Sequence, residues 1–438
     1  TIVWQHKDEV GEKSAVYKIY SHPLGQIEIR RNAIKIGEGG YSCQVYQKGF
    51  VGDGKESEFD SKYPALSYLK DRIKIGTSSL QPQIENLLKG CTIITMECDH
   101  GKILDASSLQ TDGILDDLYY YEDKLGIIWN EDVPTLRLWA PTAKSVKVHI
   151  FESSKNKEIS DSPFEMKELL KSDKWTGVWH LNGSSNWKNL FYLYEVEVFA
   201  RTTWKLEKNI VTDPYSISLS VNSKKSQIID FKDPSLKPDL WDTFEKPKLE
   251  SVNDIVIYEL HVRDFSIEDL TVPEKDRGTY LAFTHDSNGT KHIAKLAKAG
   301  LTHIHLLPTF DLATIEERRE RQKTPQIEPN LPPDSDQQQA AIDEIKDQDG
   351  FNWGYDPYHY MTPEGSYSTK PEGSSRILEF RQMVKSLSVL GLRVVLDVVF
   401  NHTHSASQEE RSVFDKIVPG YYYRLDNNGD IRSEESRV

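Results

Sequence analysis

Cysteine is scarce. Three cysteines in 438 residues, Cys43, Cys91 and Cys98, are too few and too irregularly spaced for a disulfide framework or a zinc site. They read as scattered reduced thiols of a non-oxidising compartment. Long apolar runs are missing too, so no segment reads as a membrane-spanning helix. No basic stripe stands out and the formal net charge is −14, which argues against nucleic acid or an anionic membrane as the main partner. The opening TIVWQHKDEV has neither a charged n-region nor an apolar h-region, so no secretory signal is visible. Aromatics, by contrast, are plentiful. The 9 Trp and 21 Tyr supply flat amphipathic rings that suit sugar faces as well as cores.

A chain of this length implies two or three domains, and three regions differ in pattern without any internal repeat. Residues 1–120 mix short β-like runs (VYKIY, QIEIRR, CTIITMEC) with Gly and Ser, and read as a β-rich domain. Residues 121–245 read as a β-sandwich, because LGIIW, TLRLWAP, VKVHIF, GVWHL and FYLYEVEVF are short runs spaced by turn signals. In FYLYEVEVF, Tyr192, Tyr194, Val196 and Val198 share one face, with Phe191, Leu193, Glu195 and Glu197 on the other. Trp139, Trp175, Trp179 and Trp187 are candidates for a sugar platform, or else sandwich core.

Residues 246–438 change period. DIVIYELHVRDF, LTHIHLLP and LRVVLDVVF read as buried strands separated by two helices, NGTKHIAKLAKAG and SSRILEFRQMVKSLSVLG. Ile293, Leu296 and Ala297 face inward on the first helix; Ile377, Phe380, Val384 and Leu387 do so on the second. Strand–helix–strand–helix–strand with β-branched strands is the opening of a parallel α/β unit, barrel or open sheet. The long connection before the second helix, including EERRERQKTPQIEPNLPPDSDQQQAA, is charged, proline-rich and expected to be exposed.

Chemistry gathers where side chains just past a strand's C-terminal end face a barrel's active site. In GLRVVLDVVFNHTH the apolar wall gives way to Asp397, Asn401 and His402. Taken alone, these are equally a structural Asp and a capping Asn. DGFNWGYDPYHYMTPEGSYS, residues 349–368, shifts the balance. There Trp353, Tyr355, Tyr358 and Tyr360 alternate with Asp356 and His359, a composition that can lay a ring against a pyranose while acids and imidazoles bond its hydroxyls. The bland reading is an aromatic loop packed on the barrel rim.

FNWGYDP closely resembles the YNWGYDP signature of type I pullulanases and limit dextrinases, α-amylase-superfamily (β/α)₈ glycoside hydrolases of family 13. DVVFNH resembles that superfamily's first shared region, and IYELHVRDFS, LTHIHLLPTFD, SDQQQAAI, GSSRILEFRQMV and DKIVPGYYYR extend the likeness. LRLWAPTAKSVKV resembles the starch-binding-like sandwich that precedes the barrel, a carbohydrate-binding module, and GKILDASSLQTDGILDDLYYY its N-terminal neighbour. The likeness covers roughly residues 85–430. It implies a retaining hydrolase of α-1,6 branch linkages in pullulan and in limit dextrins of starch or glycogen. It further implies that Tyr355 stacks on a glucose, that His402 bonds the same sugar, and that Asp397 organises the pocket, with Trp353 and Asp356 among the substrate-binding residues. Asn401 occupies a place that holds calcium in many α-amylases; no cofactor is required, and calcium is possible. The partner implied is a branched α-glucan, not nucleic acid or membrane, and the location is cytoplasm or plastid stroma.

Retaining glycosidases need two carboxylates about 5–5.5 Å apart. In the family, the nucleophile follows the fourth strand in a G-F-R-F-D-like run and the acid/base follows the fifth; no such run occurs here. After His404 the acids are Glu409, Glu410, Asp415, Asp426, Asp430, Glu434 and Glu435, in a polar stretch without strand pattern. Residues 253–438 are 186 residues, whereas a complete barrel takes about 250. The expectation is three β/α units of an incomplete barrel, no catalytic residue in hand, and no hydrolysis by this chain. A non-catalytic glucan-binding protein and part of an isoamylase- or branching-type enzyme are the alternatives. The sandwich is expected to fold independently, and the barrel segment to be only partly folded.

Overall fold

The computed structural model describes residues 2–5, 16–30, 33–51, 72–76, 84–98, 100–155, 157–346, 348–426 and 429–432. The N-terminal region is a six-stranded antiparallel sheet, ordered Ile2–Gln5, Arg72–Gly76, Tyr41–Val51, Val16–His22, Cys91–Glu97, Ile103–Ser108. Its core gathers Tyr17, Ile19, Val45, Leu87, Ile94 and Met96. The three thiols are free, as their spacing predicts.

Two sheets form the sandwich that follows. One orders Lys167–Lys171, Lys174–Asn182, Val133–Trp139 and Gly126–Asn130; the other centres on the pair Ala143–Phe151 and Phe191–Ala200. The alternation read from FYLYEVEVF holds: Tyr192, Tyr194, Val196 and Val198 are buried, with Val196 opposite Val146. The four tryptophans divide. Trp139, Trp179 and Trp187 are core residues, and the indole N–H groups of Trp139 and Trp179 donate to the carbonyls of Tyr119 and Ala140. A buried indole has no face left for a sugar, so the platform reading fails for these three. Trp175 alone of the four stands 41% exposed. A distant segment completes this core: Val413, Ile417 and Val418 pack among the sandwich side chains, and the rings of Tyr421 and Trp139 lie 4.7 Å apart. The expectation of an independent sandwich did not include them.

The third region is a parallel βαβαβ unit. Strands β1 (Ile257–Leu260), β2 (His303–Leu306) and β3 (Arg393–Leu396) form one sheet in that order, in the register Leu260, Leu306, Leu396. Helices α1 (Asn288–Lys298) and α2 (Ser375–Val389) are the crossovers. A Ser287–Thr290 capping box starts α1, and Gly300 at φ +111° ends it, letting the Leu301 N–H return to the Leu296 carbonyl. Leu260, Ile304, Leu306, Ile293, Met383, Leu387 and Leu392 fill the helix side of the sheet. Each strand is shorter than the apolar run that announced it, because the residues beyond leave the ladder to line the loop end. In the long connection, Phe310–Leu312 pairs with Pro357–Pro363, and the helix Gln337–Asp343 buries none of its residues. Ile255, Val256 and Ile257 at the β1 edge, and Val395, Leu396, Val398 and Phe400 about β3, are exposed.

Candidate functional site

The two sequence clusters meet at the C-terminal end of β3. The Asp397 N–H donates to the Leu306 carbonyl (3.0 Å), which holds that carboxylate at the strand end. Its Oδ2 accepts the Tyr355 hydroxyl at 2.9 Å, across 42 residues of sequence. The His402 ring donates through Nε2 to the Tyr355 carbonyl (2.8 Å), and its Nδ1 lies 3.0 Å from the Asn401 side-chain amide. Tyr360 donates its hydroxyl to the His402 carbonyl (2.9 Å), and the His404 N–H donates to the Pro357 carbonyl (3.2 Å). The loop and the end of β3 are thus laced together. Burial first, then the bond to and charge of Asp397, push the Tyr355 phenol up to about 12, so it remains a donor at physiological pH.

Local chemistry explains the loop's shape. Gly354 adopts φ +95°, and a Cβ there would stand 2.7 Å from Pro308 Cβ, so the position needs glycine on both counts. Asn352 accepts the Gly354 N–H (2.8 Å) and donates its amide to the Thr314 carbonyl (3.1 Å) and to Asp356 Oδ2 (3.2 Å). Asp356 Oδ2 also accepts the Thr314 N–H (2.8 Å) and hydroxyl. Underneath, His261 accepts the Asp264 N–H at Nδ1 (3.3 Å), which leaves Nε2–H to donate to the Asn352 carbonyl (2.9 Å) and toward Tyr367 Oη (3.0 Å). Burial lowers the pKa of this ring and favours the neutral tautomer those bonds require.

Tyr355, Asp397 and His402 therefore come together, and Trp353 shares their rim, 60% exposed with its ring 5.4 Å from Phe351. Asp356 turns its carboxylate into the loop rather than toward solvent. His359, grouped by sequence with the sugar-facing residues, points the other way. It is buried, with Nδ1 2.7 Å from Asp311 Oδ2 and Nε2 2.7 Å from Thr212 Oγ1 of the sandwich. An alternating loop carries no sign of which side faces solvent, and here the imidazole side faces the neighbouring domain.

Sequence reading did not foresee that Asp311, Glu317, Glu364 and Arg376 form a buried group around it. The only hint was a charged start to an otherwise apolar helix. Among the described residues these three acids alone come close enough to share an ion. The Arg376 guanidinium already bonds two of them, so the group does not fit a divalent cation.

Comparison with known proteins agrees with this architecture. The family model of the pullulanase N2 domain matches residues 1–117, including the stretch before residue 85 where the likeness in sequence is weak. That of carbohydrate-binding module 48, the isoamylase N-terminal domain, matches residues 124–216. Pullulanase 1, chloroplastic, of Arabidopsis thaliana is 43% identical over 356 residues, which cover 80% of this chain and 36% of the relative. Pullulanase of Klebsiella pneumoniae is 37% identical over 395 residues, with the same two coverages. A maltotriose complex of a PulA mutant from Klebsiella pneumoniae superposes with a TM-score of 0.85 at 33% identity, covering 97% of this chain and 49% of that one. The chain thus spans between a third and a half of the length of these relatives. By domain order, sequence and fold, residues 1–438 are a type I pullulanase N-terminal region.

Proposed function

We propose that this chain provides the substrate-positioning part of an α-1,6-glucan debranching hydrolase acting on pullulan and on limit dextrins of starch or glycogen. The Tyr355–Asp397–His402 constellation at the end of a parallel strand carries the reading. Tyr355 lays its ring against a glucose while Asp397 fixes its hydroxyl, and Trp353 extends the apolar rim. His402 meets a sugar hydroxyl through Nδ1, exchanging the Asn401 amide for it, while Nε2 keeps the loop in place. Asp356 serves substrate binding indirectly, by holding the loop.

In this reading β1–β3 are the first three units of a (β/α)₈ barrel, and the apolar residues exposed at both sheet edges are where further strands would pack. A retaining mechanism needs a carboxylate pair, and in this reading the described residues after His404 do not supply it. Asp415, the buried acid after His404, is committed to accepting the Ser407 and Gly420 N–H groups (2.8 and 3.0 Å), while Glu434 and Glu435 lie outside the described residues. The chain alone is therefore proposed to bind glucan without cleaving it.

The sandwich contributes binding through Trp175, which sits opposite the exposed Leu170 on a hairpin and offers an open face. The likeness to a chloroplastic relative supports a plastid location; among the described residues, no helix is long and apolar enough to cross a membrane. The deciding experiment titrates the 438-residue protein with maltotriose while assaying reducing ends from pullulan. Binding that Tyr355→Ala weakens, without release of reducing ends, is the expected result. No binding sinks the site, and hydrolysis sinks the inactivity.

A further inference from the structure

The seam between the sandwich and the βαβαβ unit buries more acid than base. Asp311, Glu317 and Glu364 are buried, with carboxylate oxygens within 4.8 Å of one another. Arg376 is wholly buried, with Nη1 3.4 Å from Asp311 Oδ1 and Nη2 3.1 Å from Glu317 Oε2. Asp311 also bonds His359 (2.7 Å) and accepts the Ser223 hydroxyl (2.5 Å). Glu364 spends both oxygens on backbone, accepting the Leu312 N–H (2.8 Å) and Ser366 N–H (2.7 Å). Glu317 differs. Its Oε2 accepts the Asn222 N–H (2.5 Å), while its Oε1 is buried with no partner.

Thr212, Asn222 and Ser223 belong to the sandwich side; the acids, His359 and Arg376 belong to the other. Glu316, bonded to the Asn222 side chain, and Glu372, bonded to the Val221 N–H, add negative charge nearby. Three acids in the cluster thus face one fixed cation and one imidazole. Even with that imidazole charged, the buried charges do not balance, and an ionised oxygen buried without a donor is the costly state. A proton on Glu317 relieves both.

We propose that docking of the sandwich onto the βαβαβ unit takes up a proton at Glu317, so that the seam tightens on acidification and loosens as pH rises through neutrality. Consistent with the geometry, burial pushes the Glu317 carboxyl up to about 7, with Arg376 opposing and Asp311 adding to the rise. Burial also holds Glu364 well above the carboxylate range. The sign follows from linkage: a carboxyl raised in the folded state stabilises at low pH and loses that contribution as pH climbs through its folded value.

Thermal unfolding of the 438-residue protein and of Glu317→Gln from about pH 6 to about pH 8 tests this. Glutamine keeps an acceptor for Asn222 and Arg376 and cannot ionise. The wild-type transition should fall as pH rises, and that of the variant should stay flat and lie above it at the alkaline end. Parallel slopes overturn the proposal. Should the variant not fold, the infrared spectrum of the wild type decides: a protonated carboxyl band at mildly acid pH that fades through neutrality supports the proposal, and its absence overturns it. Amide exchange of residues 212–223, corrected for intrinsic rates, should rise with pH; pH-independent protection there also overturns it.

Discussion

Gly354 and Asp356 work from opposite sides of Tyr355. The glycine supplies a backbone angle and a clearance that no other residue meets, and the acid fastens the next turn to Thr314. Gly354→Ala should cost about 1–3 kcal/mol of local strain, read as a lowered unfolding midpoint together with weakened maltotriose binding. If the proposed function holds, Tyr355→Ala and His402→Ala should each lower kcat/KM on pullulan by about 10- to 1,000-fold, roughly 1.4–4 kcal/mol, in a hydrolase that carries these residues. Wild-type kinetics in both would remove them from the site. That Tyr355, Asp397 and His402 would meet was foreshadowed by their places just past a strand end or beside a glycine in an aromatic run. His359 was misread because its loop pattern does not say which side is covered. Glu317 and Arg376 were not legible at all, since their meaning lies in a contact across 59 residues.

Helix α2 shows the same limit for an element. Its apolar period correctly places Ile377 and Leu387 in the core, with Phe380 and Val384 packed against it. The pattern assumes that charged side chains face solvent, however, and here Arg376, Glu379 and Arg381 are buried as well. Arg381 shows why. Its guanidinium lies 4.1 Å from the Phe231 ring and donates to the Leu236 carbonyl (2.8 Å), so the stretch 231–236 covers this side chain. Arg381→Ala should free that stretch, seen as faster amide exchange over residues 231–241. Arg376→Met should cost about 3–5 kcal/mol in chemical denaturation, because it leaves Asp311 and Glu317 buried without their counter-ion.

For the molecule as a whole, changes in residue period set apart the sandwich strands from the parallel unit, but they carry no sign of how these interlock. The Asn209 side chain donates to the Lys416 carbonyl (3.0 Å), and the Tyr421 hydroxyl donates to Asp116 (2.7 Å), so the segment after β3 returns to the sandwich and to the helix Asp112–Tyr119. Limited proteolysis should therefore leave a resistant core in which residues near 121–245 stay associated with residues near 413–422. A core of the first stretch alone would contradict the packing. The apolar edges about β1 and β3, at about 25 cal/mol per Å² of exposed area, should drive concentration-dependent self-association visible in sedimentation velocity.

That returning segment bears on how such genes recombine. The ends of the sandwich along the chain look like clean points for exchanging one coding sequence for another. A crossover at both would import a sandwich whose interior was shaped around a different partner for Val413, Ile417 and Val418. A poor fit at Ile417 alone is worth about 2–5 kcal/mol if its side chain is effectively lost. Viable exchanges must therefore carry two separated stretches of sequence together, and lineages should inherit them as one.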